Sequence, residues 1–146
     1  MKQMTRAFHQ LYYHYAWRTK DSAPVIAGEF KEHLLRWLRD ECAKYHGRCV
    51  EVNAVSDHAH LLVELPPNVA PATFVGQVKG GASYAANHFF EERKTKARFY
   101  WQEGYGVVTL RKADVPTVTK YIRDQEKIHR SRKVSKILET FEVLAS

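Results

Sequence analysis

A chain of 146 residues is long enough to bury a hydrophobic core without a disulfide or metal staple, and one domain spanning residues 1–146 is expected. Twenty-three Lys and Arg against sixteen Asp and Glu give a formal charge of +7, which attracts polyanions and makes nucleic acid a favoured partner. The two cysteines, Cys42 and Cys49, fall in no metal-ligand spacing, and neither a signal peptide nor a bilayer-spanning apolar run is present. A disulfide scaffold and a membrane protein are thereby disfavoured, and a reducing cytoplasm is the expected compartment. Most of the excess charge lies in the second half, in "ERKTKAR" (92–98), "LRK" (110–112) and "EKIHRSRKVSK" (126–136).

The aromatic-rich stretch "HQLYYHYAWRT" (9–19) reads as a first strand. From Glu29 to about Tyr45, Phe30, Leu34, Trp37, Leu38, Cys42 and Tyr45 recur at helical spacing, and Gly47 follows where a helix needs its C-terminal cap. "RCVEVNAVS" (48–56) sets Val50, Val52 and Ala54 against Glu51 and Asn53, the alternation of a half-buried strand. Ser56 and Asp57 then turn the chain into "HAHLLVEL" (58–65), which completes a hairpin. After the breaker "PPNVAP", Phe74, Val75, Val78, Ala82 and Ala85 predict a second helix over 72–90. Gly76, Gly80 and Gly81 each weaken that helix by about 1 kcal/mol relative to Ala, so they serve either close packing on the sheet or close approach to a nucleic-acid backbone beside Lys79 and Ser83. "YWQEGYGVVTL" (100–110) holds a last strand from about Gly106. "ADVPTVTKYIRDQEKIHRSRK" (113–133) predicts a helix with Asp114 as N-cap and Pro116 in its first turn.

The order strand, helix, strand, strand, helix, strand, helix fits an α+β fold. It matches a ferredoxin-like split βαβ sandwich with a four-stranded antiparallel sheet and two helices on one face. The final helix is surplus to that arrangement and is free to cover the opposite face. In the 58–65 strand Ala59, Leu61, Val63 and Leu65 share one face, which places His58 and His60 side by side on the other. Tyr121 and Gln125, four residues apart on the last helix, also share a face. Were the two pairs to converge, two imidazoles and an amide carbonyl would make a three-ligand divalent site with open positions, suited to Mn²⁺, Co²⁺, Ni²⁺ or hydrated Mg²⁺. A phenol with a pKa of about 10 attacks a phosphodiester usefully when such an ion polarises the phosphoryl group. Taken singly, each element has a plainer explanation: a His-x-His pair on a strand is more often hydrogen-bonded than metal-bound, and a tyrosine is more often a packing residue than a nucleophile.

The combination resembles the single-tyrosine HUH transposases of the IS200/IS605 family and the related REP-associated tyrosine transposases. "YYHYAWRTK" (12–20) is similar to that family's opening strand and "SDHAHLLVELPP" (56–67) to its His-hydrophobic-His strand. "VGQVKGGAS" (75–83) resembles its Lys-Gly helix, "WQEGYGVVTL" (101–110) its Trp-Gln-x-Gly-Tyr-Gly segment and "YIRDQEKIH" (121–129) its Tyr-Ile-x-x-Gln helix. The resemblance implies that His58, His60 and Gln125 ligate a divalent ion, Mg²⁺ or Mn²⁺, and that Tyr121 is the nucleophile. It implies attack on single-stranded DNA at hairpins near element ends, through a 5′-phosphotyrosine link, by a homodimer whose tyrosine helix can serve the partner's histidines. "RKADVP" (111–116) would supply the flexible stretch that such an exchange needs. Two departures stand out: Ala59 replaces the usual Val between the histidines, and Ile128 precedes His129 where the family often has two adjacent histidines. "SKILETFEVLAS" (135–146) matches the family less clearly, and is expected to add a packing helix or to affect dimerisation.

By position, Lys79, Arg111, Lys112, Lys120, Arg123, Arg130, Arg132 and Lys133 are candidates for phosphate contacts. The competing function is a domesticated relative that holds hairpin DNA or RNA without cutting it, but a binder has no need to keep His58, His60, Tyr121 and Gln125 together. An RRM-type RNA-binding sheet would carry a Lys/Arg-Gly-Phe/Tyr run, which is missing. A 2H phosphoesterase would carry two His-x-Ser/Thr motifs, yet His60 is followed by Leu61 and Leu62.

Overall fold

The computed structural model describes residues 7–141. Four antiparallel strands, β1 (Tyr12–Arg18), β2 (Arg48–Val55), β3 (His58–Glu64) and β4 (Gly106–Leu110), form one sheet in the order β2-β3-β1-β4. Helices α1 (Gly28–Lys44) and α2 (Pro71–Glu92) cover one face. This is the ferredoxin-like α+β sandwich expected from the element order. The expected long final helix is instead two pieces, α3 (Val115–Arg123) and α4 (Gln125–Ser131), with a break at Asp124.

The main core lies between the sheet and α1 and α2. Tyr15 and Trp17 of β1 and Ala59, Leu61 and Val63 of β3 point into it and meet Leu34, Leu38, Phe74, Val75 and Val78, all fully or almost fully buried. Ala86 of α2, rather than Ala85, is its last buried alanine. A second, smaller cluster occupies the other face, where Val118 and Ile122 of α3 pack with Tyr12, Leu62 and Leu138.

Three local expectations are corrected. The β2 alternation breaks at a bulge between Cys49 and Glu51, so Val50 joins the second cluster while Val52 and Ala54 face the first. At the end of α1 the left-handed residue is His46, with φ +70°, and the Gly47 N–H closes the cap onto the Cys42 carbonyl at 2.8 Å. Gly47 is required by packing: a Cβ there would lie 2.7 Å from the Phe74 ring. Asp114 stands at the N-cap of α3 but makes no capping bond; its carboxylate holds Arg111 at 2.9 and 3.0 Å instead. A 3-10 turn over Lys112–Asp114 follows Arg111 and leads into α3. Pro116 does lie in the first turn of α3.

The α2 glycines divide by environment. A Cβ on Gly81 would run into the carboxylate of Glu41 on α1, the movable end of that side chain, whereas Gly76 and Gly80 face open space. Gly76→Ala should therefore raise stability in urea denaturation by about 1 kcal/mol, and Gly81→Ala should raise it less, because the Glu41 carboxylate must swing aside. Equal effects of the two substitutions would contradict this division.

Candidate metal and nucleophile site

Because β3 buries alternate residues against α1 and α2, His58 and His60 emerge on the opposite face, where α3 lies over them. The packing of Val118 and Ile122 on Leu62 and Tyr12 turns Tyr121 toward the sheet, with its ring centroid 5.9 Å from that of His60 of the same chain. The Asn53 side chain on β2 donates to the carbonyls of Ile122 and Arg123 at 2.9 and 3.1 Å, which satisfies backbone groups freed at the break in the helix. Gln125 opens α4 and is fully buried. Its amide nitrogen donates to the Tyr121 carbonyl at 3.1 Å, and its Oε1 lies 3.1 Å from His129 Nε2. Tyr121 thus meets the histidine pair, whereas Gln125 is linked to it through His129, whose ring lies 4.8 Å from that of His58.

The structure adds residues that spacing did not reveal. Beyond α4 the chain returns across the same face, with Leu138 buried in the second cluster and the Phe141 ring 5.0 Å from that of His58. This return places the Glu139 carboxylate at the centre of the site. Its oxygens lie 2.8 Å from His58 Nε2, 2.8 Å from His60 Nε2 and 3.1 Å from His129 Nε2. The Tyr121 hydroxyl donates to Glu139 Oε2 at 2.7 Å and accepts from the Ser135 N–H at 2.8 Å. Residues 142–146, the remainder of the segment expected to add a helix, lie outside the described residues.

Each histidine of the pair is also held from behind. His58 Nδ1 lies 2.8 Å from Asp57 Oδ1, and His60 Nδ1 lies 2.9 Å from Nε2 of His14 on β1. Burial, reinforced by His60, holds the pKa of His14 down to about 3, so His14 is neutral and its Nε2 can accept the His60 Nδ1 proton. With both Nδ1 atoms protonated, both Nε2 lone pairs face the site, the supporting arrangement of metal-ligating histidines. Burial of His60 outweighs the nearby carboxylate and lowers its pKa. Burial opposes the charged form of His58 as well, but Glu139 and Asp57 together raise its pKa. Burial, with the adjacent Glu139 carboxylate, pushes the Tyr121 hydroxyl up to about 12, so this phenol is protonated at neutral pH.

A divalent ion fits this donor set. His58 Nε2, His60 Nε2 and Glu139 Oε1 are buried without a hydrogen-bond partner, although each Nε2 lies 2.8 Å from the Glu139 carboxylate. Buried polar atoms are rarely left unpaired, and a cation would satisfy all three. Nitrogen and oxygen donors from His58, His60, His129 and Glu139 lie within 4.8 Å of one another. One ion with donor distances of about 2.1 Å could gather such a set with small adjustments.

The basic candidates fall into distinct settings. Lys79 donates to the carbonyls of Gln102 and Gly104 at 3.0 and 2.8 Å, and burial lowers its pKa, so it braces that loop. Arg111 pairs with Asp114, Lys120 with Asp124 and Arg123 with Glu51, while Lys112, Arg130, Arg132 and Lys133 are exposed. A groove of about 400 Å³ runs along α3 and α4 to Tyr121, lined by Lys120, Lys127 and Lys133. Lys127 escaped the sequence reading because it sits in a dense charge run.

A four-stranded antiparallel sheet that presents a His-x-His pair to a tyrosine-bearing helix is the architecture of the single-tyrosine DNA transposases. The chain belongs to the IS200-like transposase family, whose model, "Transposase IS200 like", matches residues 7–125. It is 30% identical over 115 residues to the transposase for insertion sequence element IS200 of Salmonella typhimurium, covering 77% of this chain and 75% of that one. It is 29% identical over 129 residues to the ISDra2 transposase TnpA of Deinococcus radiodurans, covering 86% and 91%. Among solved structures, a transposase-family protein from Deinococcus radiodurans R1 superposes with a TM-score of 0.67 at 26% identity, covering 86% of this chain and 98% of that one. A REP-associated tyrosine transposase bound to a REP hairpin shares the fold, with a TM-score of 0.61 at 12% identity over 100% of this chain and 95% of that one.

The Asn53 bridge yields a direct stability test. Asn53→Ala leaves the Ile122 and Arg123 carbonyls without their donor and should lower unfolding free energy in urea by about 1–3 kcal/mol. Asn53→Asp, which aims a carboxylate at two carbonyl oxygens, should lower it further. Wild-type stability in both variants would show that the break is held by other contacts.

Proposed function

We propose that this transposase, acting as one domain over residues 1–146, cleaves and rejoins single-stranded DNA at hairpin-bearing element ends. In this reading Tyr121 is the nucleophile, and His58, His60 and Gln125 hold a divalent ion, Mg²⁺ or Mn²⁺. The observation that carries it is the placement of the Tyr121 hydroxyl beside a buried histidine pair whose Nε2 atoms have no hydrogen-bond partner. The REP-associated relative seen on a REP hairpin makes a hairpin the first substrate to try.

The chain's own groups divide the work. The protonated Tyr121 hydroxyl is fixed between the Ser135 N–H and Glu139 Oε2, which directs its oxygen across the histidine face. Lys120, Lys127 and Lys133 draw a DNA strand along the groove toward that oxygen, with Lys112, Arg130 and Arg132 adding long-range attraction. Attack of the phenolic oxygen on phosphorus breaks the P–O3′ bond. The strand's 5′ phosphate then stays on Tyr121, and the released 3′ oxygen takes up the proton that the Tyr121 hydroxyl gives up on attack. Rejoining is the reverse displacement by a 3′-hydroxyl, so no ATP is consumed. The bound ion supplies Lewis-acid polarisation of the phosphoryl group. A homodimer acting on DNA in the cytoplasm completes the proposal; in the isolated chain Tyr121 already faces its own histidines. No helix among the described residues is long and apolar enough to cross a membrane.

End-labelled single strands from both flanks of the gene, incubated with protein and Mn²⁺, should give a protein–DNA band on a denaturing gel. That band should fall at least 1000-fold in Tyr121→Phe and disappear in His58→Ala/His60→Ala or with EDTA, on the scale of losing a nucleophile. Cleavage that survives Tyr121→Phe would overturn the assignment. Tight hairpin binding with no adduct on any strand would identify a non-cleaving binder instead.

A further inference from the structure

We propose that Glu139 is itself a ligand of the ion held by His58 and His60, so that the chain beyond the tyrosine helix completes the metal centre. This inference rests on the metal reading given above and extends it to a residue outside the family-matched span of 7–125.

Two independent observations converge on Glu139. The first is geometry: its carboxylate is 2.8 Å from both ligand nitrogens, yet neither approach is a hydrogen bond, and Oε1 remains unpartnered. A carboxylate that merely neutralised an imidazolium would align with its N–H. The second is anchoring. Leu138 is buried against the sheet, the Ser135 N–H binds the Tyr121 hydroxyl and Thr140 lies against β4. A Cβ on Gly106 would strike the Thr140 carbonyl, so the start of β4 is shaped to receive this segment. The carboxylate is thus delivered by contacts that do not involve it.

An anionic oxygen added to two neutral imidazoles suits Mn²⁺ and Mg²⁺ better than imidazoles alone, because these ions prefer oxygen donors. Glu139 Oε2 also accepts the Tyr121 hydroxyl proton, so one carboxylate spans the ion and the nucleophile and sets the distance between them. The chemistry therefore becomes conditional on segment 135–141 lying across the histidine face. Glu139 is a ligand and positioning residue in this account, additional to Gln125.

The test is Mn²⁺ titration by calorimetry on the full-length protein, with Co²⁺ visible absorption as a readout of the ligand set. Variants are E139Q, E139D, His58→Ala/His60→Ala and Ile137→Ser, the last an exposed change on the same segment. Metal-free thermal melts establish which variants are folded, and E139D keeps the question open to measurement if E139Q is not. The wild type and Ile137→Ser should bind Mn²⁺ alike. E139Q should bind at least tenfold more weakly with an altered Co²⁺ spectrum, and E139D should be intermediate. Unchanged or tighter binding in E139Q and E139D, with an unaltered spectrum, would overturn the inference: the carboxylate would then occupy the ion's place and yield to it. Failure of the wild type to bind Mn²⁺ any better than the double-histidine variant would instead overturn the underlying metal reading, and the inference with it.

Discussion

The site depends on the two-residue period of a single strand. β3 commits Ala59, Leu61 and Val63 to the core, and that burial fixes the register in which His58 and His60 emerge on the other face. A one-residue slip would put imidazoles in the core and leucines over the tyrosine helix. The hydrophobic pattern that stabilises the sheet therefore also aims the chemistry. The neighbouring strands support this choice from the same face, β1 through His14 and β2 through Asn53.

The second constraint is the burial of polar groups. His58, His60, Gln125, Glu139 and Tyr121 crowd into a face that excludes most solvent, and their atoms must be satisfied by one another or by an ion. The periphery of the site is satisfied within the protein: Asp57 and His14 take the two Nδ1 atoms, and Ser135 and Glu139 hold the tyrosine hydroxyl. The centre is not, since three donor atoms converge without hydrogen bonds. A satisfied rim around an unsatisfied centre is what distinguishes a candidate metal centre from an ordinary buried histidine pair.

Much of this was legible in the sequence because the relevant signals are periodic. Strand alternation gave the faces of β3, helical spacing gave α1 and α2, and the Tyr121–Gln125 interval placed both on one side of the chain that crosses β3. What escaped was set by tertiary contacts. The β2 bulge that turns Val50 over, and the choice of His46 rather than Gly47 for the left-handed position, depend on neighbours distant in sequence. The break at Asp124 has its partner in Asn53, some 70 residues earlier, where no local pattern points to it. His14 reads as one more ring in an aromatic strand, and only its alignment across the sheet sets it behind His60. Glu139 follows a charged, non-periodic stretch and has no local signature; it enters the site because Leu138 and Ser135 find partners there.

The claim at the centre of this account is that the His58 and His60 Nε2 atoms share one divalent ion beside Tyr121. Crystals grown with Mn²⁺ and measured near the manganese absorption edge test it without any DNA substrate. The account predicts one anomalous peak bonded to both Nε2 atoms, at about 2.2 Å from each, within reach of the tyrosine hydroxyl. An imidazole pair with no anomalous density between its nitrogens, at Mn²⁺ concentrations that load other sites on the molecule, would contradict it.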